Sequence, residues 1–177
     1  MSFPYCVGQV PVHYNEYSTG RPHVEGKDKD RFRSKYLDIP NEPLYPFGYG
    51  LSYTTFEVSD IHLDRTWMDT SGQIEAEVTV KNTGKIYAGK EVVQVYYSAA
   101  GGVMEKPYQE LAAYQKTKLL APGETEEIVL KYQAEQMASY SEKEAAWILE
   151  KGDYIIRVGN SSASTEVAGV IEVCEDI

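Results

Sequence analysis

The side chains that could hold a metal ion are concentrated in a charged stretch near the N-terminus, from Glu25 to Lys35. Within it, Asp28 and Asp30 have the one-residue spacing of the first two ligands in a calcium-binding loop. Such a loop also requires a third acidic ligand and a glycine, and Phe32 and Arg33 stand in their place. We therefore predict no calcium site here, and we expect the charge run to be a solvated loop.

The histidines and cysteines do not form a reactive pattern either. His13, His23 and His62 lack the spacing of metal ligands or of a catalytic triad. Cys6 and Cys174 lie near opposite ends of the chain, and no CxxC motif is present. We predict no catalytic residue from these types, no metal, no cofactor and no disulfide framework.

Composition excludes two classes of partner. The formal net charge is -10 and the sequence has no basic stripe, so we expect no nucleic-acid binding. No apolar run approaches membrane-spanning length, and the first residues do not resemble a signal peptide. The chain as given is therefore predicted to be cytoplasmic. Its 15 tyrosines are expected mostly at half-buried strand positions.

Strand signals begin at Phe56 and continue to the end of the chain. Alternation of apolar with polar residues from Ile74 to Val80 is typical of a half-buried strand. We predict further strands at 56–63, 92–97, 127–132 and 166–173, with 111–114 and 117–120 flanking a short edge segment. Turns are expected at Asn82-Thr83-Gly84 and at Ala121-Pro122-Gly123-Glu124.

Two local predictions concern the region between residues 134 and 159. Ala134 to Tyr140 is expected to form one helical turn that crosses between sheets. Ala145 to Leu149 and Tyr154 to Gly159 are expected to pair as a hairpin around Lys151-Gly152. Seven or eight short strands without a long amphipathic helix favour an antiparallel β-sandwich of the fibronectin type III or immunoglobulin-like kind.

The first 50 residues have a different character. Prolines at positions 4, 11, 22, 40, 43 and 46 oppose helices and central strands, and the one strand-like run is Gly8 to Tyr14. Too few periodic apolar residues are present to form a separate core. We predict an irregular extension over residues 1–42, a junction over 43–55 and an all-β domain over 56–177.

A resemblance to a known family is carried by the junction, PLYPFGYGLSYTTF at residues 43–56. It is similar to the link between the α/β sandwich domain and the fibronectin type III-like domain of family 3 glycoside hydrolases. Further motifs follow in the family's order, and these are 2–15, 19–22, 34–38, 80–97, 106–116, 120–128 and 152–162. The resemblance implies the C-terminal part of a β-glucosidase or β-xylosidase, with residues 1–42 as the tail of the α/β sandwich domain.

The resemblance also implies where the chemistry lies. Family members use an Asp nucleophile in a barrel domain and usually a Glu acid/base in the α/β sandwich domain, and both precede the matched motifs. Ser59-Asp60 is similar to the family's nucleophile loop, but it follows the junction. Glu25-Gly26 and Asp30-Arg31 are similar to the acid/base motif, but they also lie downstream of its usual place. We therefore predict that this chain alone is inactive.

Five aromatic residues and one arginine of the first 50 positions are the candidate contact residues. We expect them to pack against the catalytic domains or to border the sugar pocket, and the candidates are Tyr14, Arg21, Tyr36, Tyr45, Phe47 and Tyr49. Expected partners are those catalytic domains or a second copy of this chain, with β-glucosides reached only through the parent enzyme. A parent enzyme could be periplasmic or secreted.

Two other functions stay open on sequence. One is a stand-alone module that binds carbohydrate or protein, for which Tyr96, Tyr97 and Tyr132 could form a row of exposed rings. The other is one part of a split hydrolase whose barrel is encoded separately.

Overall fold

A computed structural model describes residues 1–9, 12–18, 20–22 and 32–177. The strands lie between residues 56 and 173 of this part of the chain. They are β1 (Phe56–Leu63), β2 (Trp67–Met68), β3 (Gln73–Asn82), β4 (Val92–Ala99), β5 (Glu110–Lys116), β6 (Thr125–Gln133), β7 (Ser139–Ser141), β8 (Ala146–Ile148), β9 (Gly152–Ser161) and β10 (Ser164–Val173). The predicted boundaries after residues 42 and 55 stay predictions, although β1 begins at Phe56.

The strands form a two-layer β-sandwich, as predicted. One sheet has the order β1-β3-β6 and the other the order β2-β10-β9-β4-β5, while β7 and β8 pair as a separate hairpin. All pairings are antiparallel except that of β2 with β10, which is parallel. The predicted antiparallel class is therefore confirmed, with one parallel edge pair that the sequence did not indicate.

The sandwich core follows the alternation read from the sequence. Ile74, Ala76, Val78 and Val80 are fully buried along β3. They belong to one hydrophobic cluster with residues of the facing sheet and of β6, among them Val93, Val95, Ile128 and Leu130. Each fully buried Val or Ile contributes roughly 1.5–3 kcal/mol relative to an exposed one. This core is the main source of stability for the domain.

Strand β4 is buried on both faces. Val93, Val95 and Tyr97 belong to the core cluster between the sheets. Gln94 and Tyr96 are also buried, although the strand's alternation directs them to the outer face of the five-stranded sheet. The outer face must therefore be covered at this point, and the N-terminal segment covers it.

The predicted turns form, and one of them depends on a buried asparagine. Asn82 donates its Nδ2 to the carbonyls of Tyr87 (3.0 Å) and Leu120 (2.9 Å). Its Oδ1 accepts from Gly84 N–H (3.0 Å) and from the hydroxyl of Thr54 (2.6 Å). Asn82 thus closes its own turn and fixes the end of the junction to the sandwich.

The hairpin predicted for 145–159 is wrong. Strand β8 pairs back with β7, so that Ser139 lies opposite Ile148, while β9 pairs with β4 and β10. Between the two strands, Leu149 exchanges backbone hydrogen bonds with Ile177 (2.9 and 3.0 Å). Because the chain is held there by the C-terminus, β8 cannot fold back on β9.

Smaller differences concern ends of elements. The predicted helical turn is a 3-10 helix over Ala134–Met137. The segment 117–120 is not a strand, and its pairing is an isolated bridge between Gly89 and Leu120. Strand β2 was missed because two residues carry no periodic signal. The described residues of the Gly8 to Tyr14 run form no strand.

Candidate docking surface

A tight turn organises the junction. Tyr49 N–H donates to the carbonyl of Pro46 (3.2 Å), and Gly48 between them has φ of +79°. Positive φ at the third position is what a type II turn requires, and glycine adopts it without strain. The turn directs Phe47 to one side and brings Tyr45 and Tyr49 together on the other.

Phe47 and Tyr14 form an inner pair that packs on the sandwich. Their rings stack with centroids 4.1 Å apart and an interplanar angle of 16°. Tyr14 also meets buried Tyr96 edge to face at 5.9 Å, and its hydroxyl accepts a long hydrogen bond from Leu111 N–H (3.4 Å). Two of the predicted contact residues therefore have their partners within this chain.

Gln94 fastens the turn to the sheet. Its Nε2 donates to the carbonyls of Gly48 (3.1 Å) and Asn160 (2.7 Å), and its Oε1 accepts from the hydroxyl of Tyr96 (2.6 Å). A Cβ on residue 48 would overlap the Gln94 amide. Gly48 therefore permits a close backbone approach to Gln94, whereas no atom lies within 4 Å of the Cβ position of Gly50.

Tyr45 and Tyr49 belong to an outer aromatic row, which we define as Phe3, Tyr45 and Tyr49. Tyr45 and Tyr49 stack at 5.3 Å, and Phe3 meets Tyr45 edge to face at 6.4 Å. Their side chains remain 54%, 40% and 48% exposed, respectively. Phe3 and Tyr45 also exchange backbone hydrogen bonds (2.9 and 3.2 Å), which hold the row in place.

Gln9 ties the first residues to the segment before the junction. It is fully buried, its Oε1 accepts from Tyr5 N–H (2.7 Å), and its Nε2 lies 2.8 Å, 3.4 Å and 2.9 Å from the carbonyls of Pro40, Asn41 and Glu42. One polar side chain therefore satisfies several backbone groups that no strand pairing serves.

The remaining predicted contact residues have local roles. The Arg21 guanidinium lies 5.8 Å from the centre of the Phe32 ring, a cation–π contact. The backbone N–H of Tyr36 donates to Asn41 Oδ1 (2.9 Å). Arg21 and Tyr36 are thus fixed within the N-terminal segment, apart from the inner pair and the outer aromatic row.

A clamped loop between β4 and β5 makes a second connection to the N-terminal segment. Tyr108 N–H donates to the carbonyl of Glu16 (2.9 Å), beside an isolated bridge between Tyr17 and Pro107. The loop is held by Glu150, whose carboxylate pairs with Lys106 and accepts from Val103 N–H (2.8 Å). Burial raises the pKa of Glu150, but these hydrogen bonds outweigh it and hold the pKa below its usual value.

Three further carboxylates of the described residues also have lowered pKa values. Burial raises the pKa of Asp64, yet hydrogen bonds from Arg65 and the Glu75 N–H bring it below its usual value. The hydrogen bond from Lys131 lowers the pKa of Glu75, and that from Ala121 N–H lowers the pKa of Glu124. A general acid needs the opposite shift. Ser59 and Asp60 lie in β1, where their side chains bond each other (3.2 Å).

Three tyrosines that could have formed a row of exposed rings are buried instead. Tyr96, Tyr97 and Tyr132 are all buried and cannot form a sugar-binding row. Tyr97 donates to Glu110 (2.7 Å), and burial together with that hydrogen bond raises its pKa. The large rings at these positions serve packing because β4 and β6 are covered on the faces that carry them.

The remaining candidate residues are the cysteines and the metal-ligating residue types. Cys6 and Cys174 are free and exposed. Within the described ranges, no group of three His, Cys, Asp or Glu side chains could hold a metal ion, and no helix is long and apolar enough to cross a membrane. The Asp28, Asp30, His23 and Glu25 motifs lie outside the described residues.

Three polar or ring residues that the sequence reasoning missed hold the surface together, and they are Phe3, Gln9 and Gln94. Gln94 had a usable signal, since a glutamine within the apolar run VVQVYY must find partners if the strand is central. Gln9 and Phe3 had none, because the carbonyls that the Gln9 Nε2 bonds and the Tyr45 partner of Phe3 lie more than 30 residues away in sequence.

Known proteins match both the domain and the longer chain. Residues 91–162 match the model of the fibronectin type III-like domain family. A periplasmic β-glucosidase from Salmonella typhimurium is 39% identical over 163 residues, which are 92% of this chain and 21% of that protein. A putative β-xylosidase from Formosa agariphila is 36% identical over 92% of this chain and 20% of its own length.

Solved structures agree with these relatives. The β-glucosidase from Listeria innocua in complex with glucose superposes with a TM-score of 0.86 at 39% identity, over 98% of this chain and 24% of that one. The chain thus spans about a fifth to a quarter of the proteins it matches. It corresponds to the C-terminal part of family 3 β-glucosidases and contains a fibronectin type III-like domain.

Proposed function

We propose that this chain is a non-catalytic module of a β-glucosidase-like hydrolase, and that the outer aromatic row packs against the catalytic domains of that enzyme. The observation that carries the proposal is the half-exposed row of Phe3, Tyr45 and Tyr49, which ring stacking and the Phe3–Tyr45 backbone hydrogen bonds hold in place. β-Glucosides would be bound and cleaved by the parent enzyme, without a cofactor from this chain.

Burial of the outer aromatic row against another protein surface is energetically favourable. Three aromatic rings about half exposed leave a substantial apolar area in water, and burying such area contributes roughly 25 cal/mol per Å². The rings are also preorganised by stacking and by the Phe3–Tyr45 backbone pair, so docking would require little further ordering. The inner pair meanwhile attaches the row to a stable sandwich, which makes the module a rigid support.

The carboxylate chemistry supports a non-catalytic role. Retaining glycosidases use two carboxyl groups about 5 Å apart, and one of them must hold a proton near neutral pH. In the described residues, the carboxylates with clear pKa shifts are all lowered, and cations or backbone N–H groups engage them. Buttressing of separate catalytic domains is the role that fits these groups.

The compartment would follow the parent enzyme. The prediction that the chain as given is cytoplasmic stays a prediction, since one relative is named a periplasmic enzyme. The matches include both a β-glucosidase and a putative β-xylosidase, so glucosides and xylosides are both candidate substrates of the parent.

A binding experiment tests the proposal. The Listeria innocua relative without its matched C-terminal quarter is co-expressed with this chain, and complex formation is measured by affinity capture. We expect capture of the wild-type chain and at least tenfold weaker capture of the Tyr45→Ala, Tyr49→Ala double variant. Tyr114→Ala is the control, because Tyr114 is also an exposed tyrosine but lies on edge strand β5, outside the outer aromatic row.

Two results would contradict the docking role. One is undiminished capture of the double variant. The other is a stable dimer of this chain in light scattering that the double variant abolishes while capture by the relative is absent. The second result would assign the row to self-association instead.

A further inference from the structure

The hairpin of β7 and β8 presents an aromatic pair that the sandwich does not use. Tyr140 and Trp147 lie directly opposite each other, with ring centroids 5.6 Å apart and an interplanar angle of 66°. Their side chains are 51% and 70% exposed, and neither belongs to the buried core of the described residues. The two rings therefore form an open corner of one ring face and one ring edge.

The hairpin holds these rings in an ordered position. Its turn is closed by a hydrogen bond from Glu144 N–H to Ser141 Oγ (3.2 Å). Ala145 has φ of +51°, a conformation that residues other than glycine seldom adopt. At the base, Leu149 pairs with Ile177, and Glu150 is held by Lys106. The corner is fixed to the domain at its base.

We propose that Tyr140 and Trp147 form a binding platform for a pyranose ring of a β-linked gluco- or xylo-oligosaccharide. A pyranose with equatorial hydroxyls has flat C–H faces, which pack on an indole ring, and a polar rim. The Tyr140 hydroxyl and the indole N–H can bond to that rim. Exposed Glu142, Lys143 and Glu144 on the same turn supply further partners for sugar hydroxyls.

The size of the platform favours a sugar over a protein. The exposed parts of the two rings amount to roughly 250 Å², from typical aromatic side-chain areas. A specific protein interface needs about 800 Å² from each partner. The turn between the two residues is charged and exposed, so the apolar patch does not extend to the tip of the hairpin. An area of this size matches one or two sugar rings.

The choice of β-linked glucose or xylose rests on the proposed function, whereas the platform itself does not. Binding is measured on this chain alone, without the catalytic domains. Failure of the platform would therefore leave the docking experiment untouched, and failure of docking would leave sugar binding untouched.

Fluorescence offers a direct test because the chain has only two tryptophans. Trp67→Phe leaves Trp147 as the single indole, and Trp147→Phe leaves Trp67, which is 58% exposed on β2. Each variant is titrated with cellohexaose and with xylohexaose up to about 10 mM, the range of weak binding. We expect a saturable change in emission for Trp67→Phe and none for Trp147→Phe.

Calorimetry with the otherwise native chain gives the second readout. Trp147→Ala and Tyr140→Ala should each weaken binding at least tenfold, and Tyr140→Phe should weaken it only a few-fold. Tyr114→Ala is the control and should bind as the wild type does. Exposed positions are chosen so that thermal midpoints stay unchanged, which is measured for every variant.

Three results would overturn the proposal. One is the absence of saturable emission change for Trp67→Phe with both sugars. Another is an equal response when Trp67 is the remaining indole. The third is Trp147 emission that changes with protein concentration and not with sugar, which would indicate a protein partner at the hairpin.

Discussion

The two regions of this molecule are held together by different physics. Residues 56–177 bury alternating apolar side chains between two sheets, so that many interchangeable contacts share the stabilisation. The N-terminal segment instead depends on single polar side chains, such as Gln9 and Gln94, that satisfy distant backbone groups. The sandwich should therefore tolerate the loss of the segment's order, whereas the segment should not tolerate loss of the sandwich.

The largest effect is expected in the sandwich core. Ile128→Ala removes a fully buried side chain from β6, opposite Val78, and should lower the free energy of unfolding by about 4 kcal/mol. Chemical denaturation should show this loss in the transition of the sandwich. Val129→Ala, on the exposed side of the same strand, should cost less than about 0.5 kcal/mol. Equal costs would contradict the core assignment.

The next largest effect on stability is expected at the Glu150–Lys106 ion pair, which holds the loop that contacts the N-terminal segment. Glu150→Gln breaks a mostly buried ion pair with Lys106 and should cost about 3 kcal/mol at neutral pH. The folded-state pKa of Glu150 is lowered, so its contribution is present above the ordinary pKa of 4.5 and is lost as pH falls through the lower folded value.

Acid unfolding checks this sign. Below pH 4.5, the stability of the wild type should fall more steeply than that of Glu150→Gln, until the two converge. Glu124→Gln serves as the comparison, since its carboxylate is exposed and also has a lowered pKa. Parallel curves for wild type and Glu150→Gln would show that the clamp does not contribute.

A smaller effect is expected at the junction turn. Gly48→Ala places a methyl group against the Gln94 amide at positive φ, which should cost about 2 kcal/mol. The damage should stay local: a protease should cleave residues 43–55 faster in the variant, and it should degrade the sandwich core more slowly than that segment. Gly50→Ala is the matched control because its Cβ meets open space. Equal sensitivity of both variants would refute the docking of the turn on Gln94.

The smallest effect on stability is expected at Gln9, and it tests most clearly whether the two regions unfold separately. Gln9→Ala removes the hydrogen bonds to Tyr5 N–H and the 40–42 carbonyls, worth about 1 kcal/mol. Hydrogen exchange should accelerate at Tyr5 while the thermal midpoint of the sandwich stays constant. Gln73→Ala, which loses one exposed hydrogen bond to Glu75, should change neither. A lowered midpoint in Gln9→Ala would mean that the two regions unfold as one.

The sequence predicted the sandwich well because period-2 alternation is a local signal. Ile74 to Val80 carries it plainly, and each of those apolar residues is buried. The hairpin predicted for 145–159 is wrong because Leu149 pairs with Ile177, a partner that no local pattern indicates.

The candidate site was predicted only in part for the same reason. Six aromatic or basic residues were chosen by type and place, but a turn at Gly48 separates Tyr14 and Phe47 from Tyr45 and Tyr49. Arg21 and Tyr36 belong to neither pair. That division depends on a positive φ and on Gln94, two features that become visible only when β4 is known to be covered on both sides.

Hydrolysis of an aryl β-glucoside tests the central claim most directly. The 177-residue chain alone, the truncated Listeria innocua relative alone and their mixture are assayed under one condition. We expect no hydrolysis by this chain, and higher activity of the mixture than of the truncated relative, with the gain lost in the Tyr45→Ala, Tyr49→Ala variant. Hydrolysis by this chain alone, at a rate proportional to its concentration, would contradict the account.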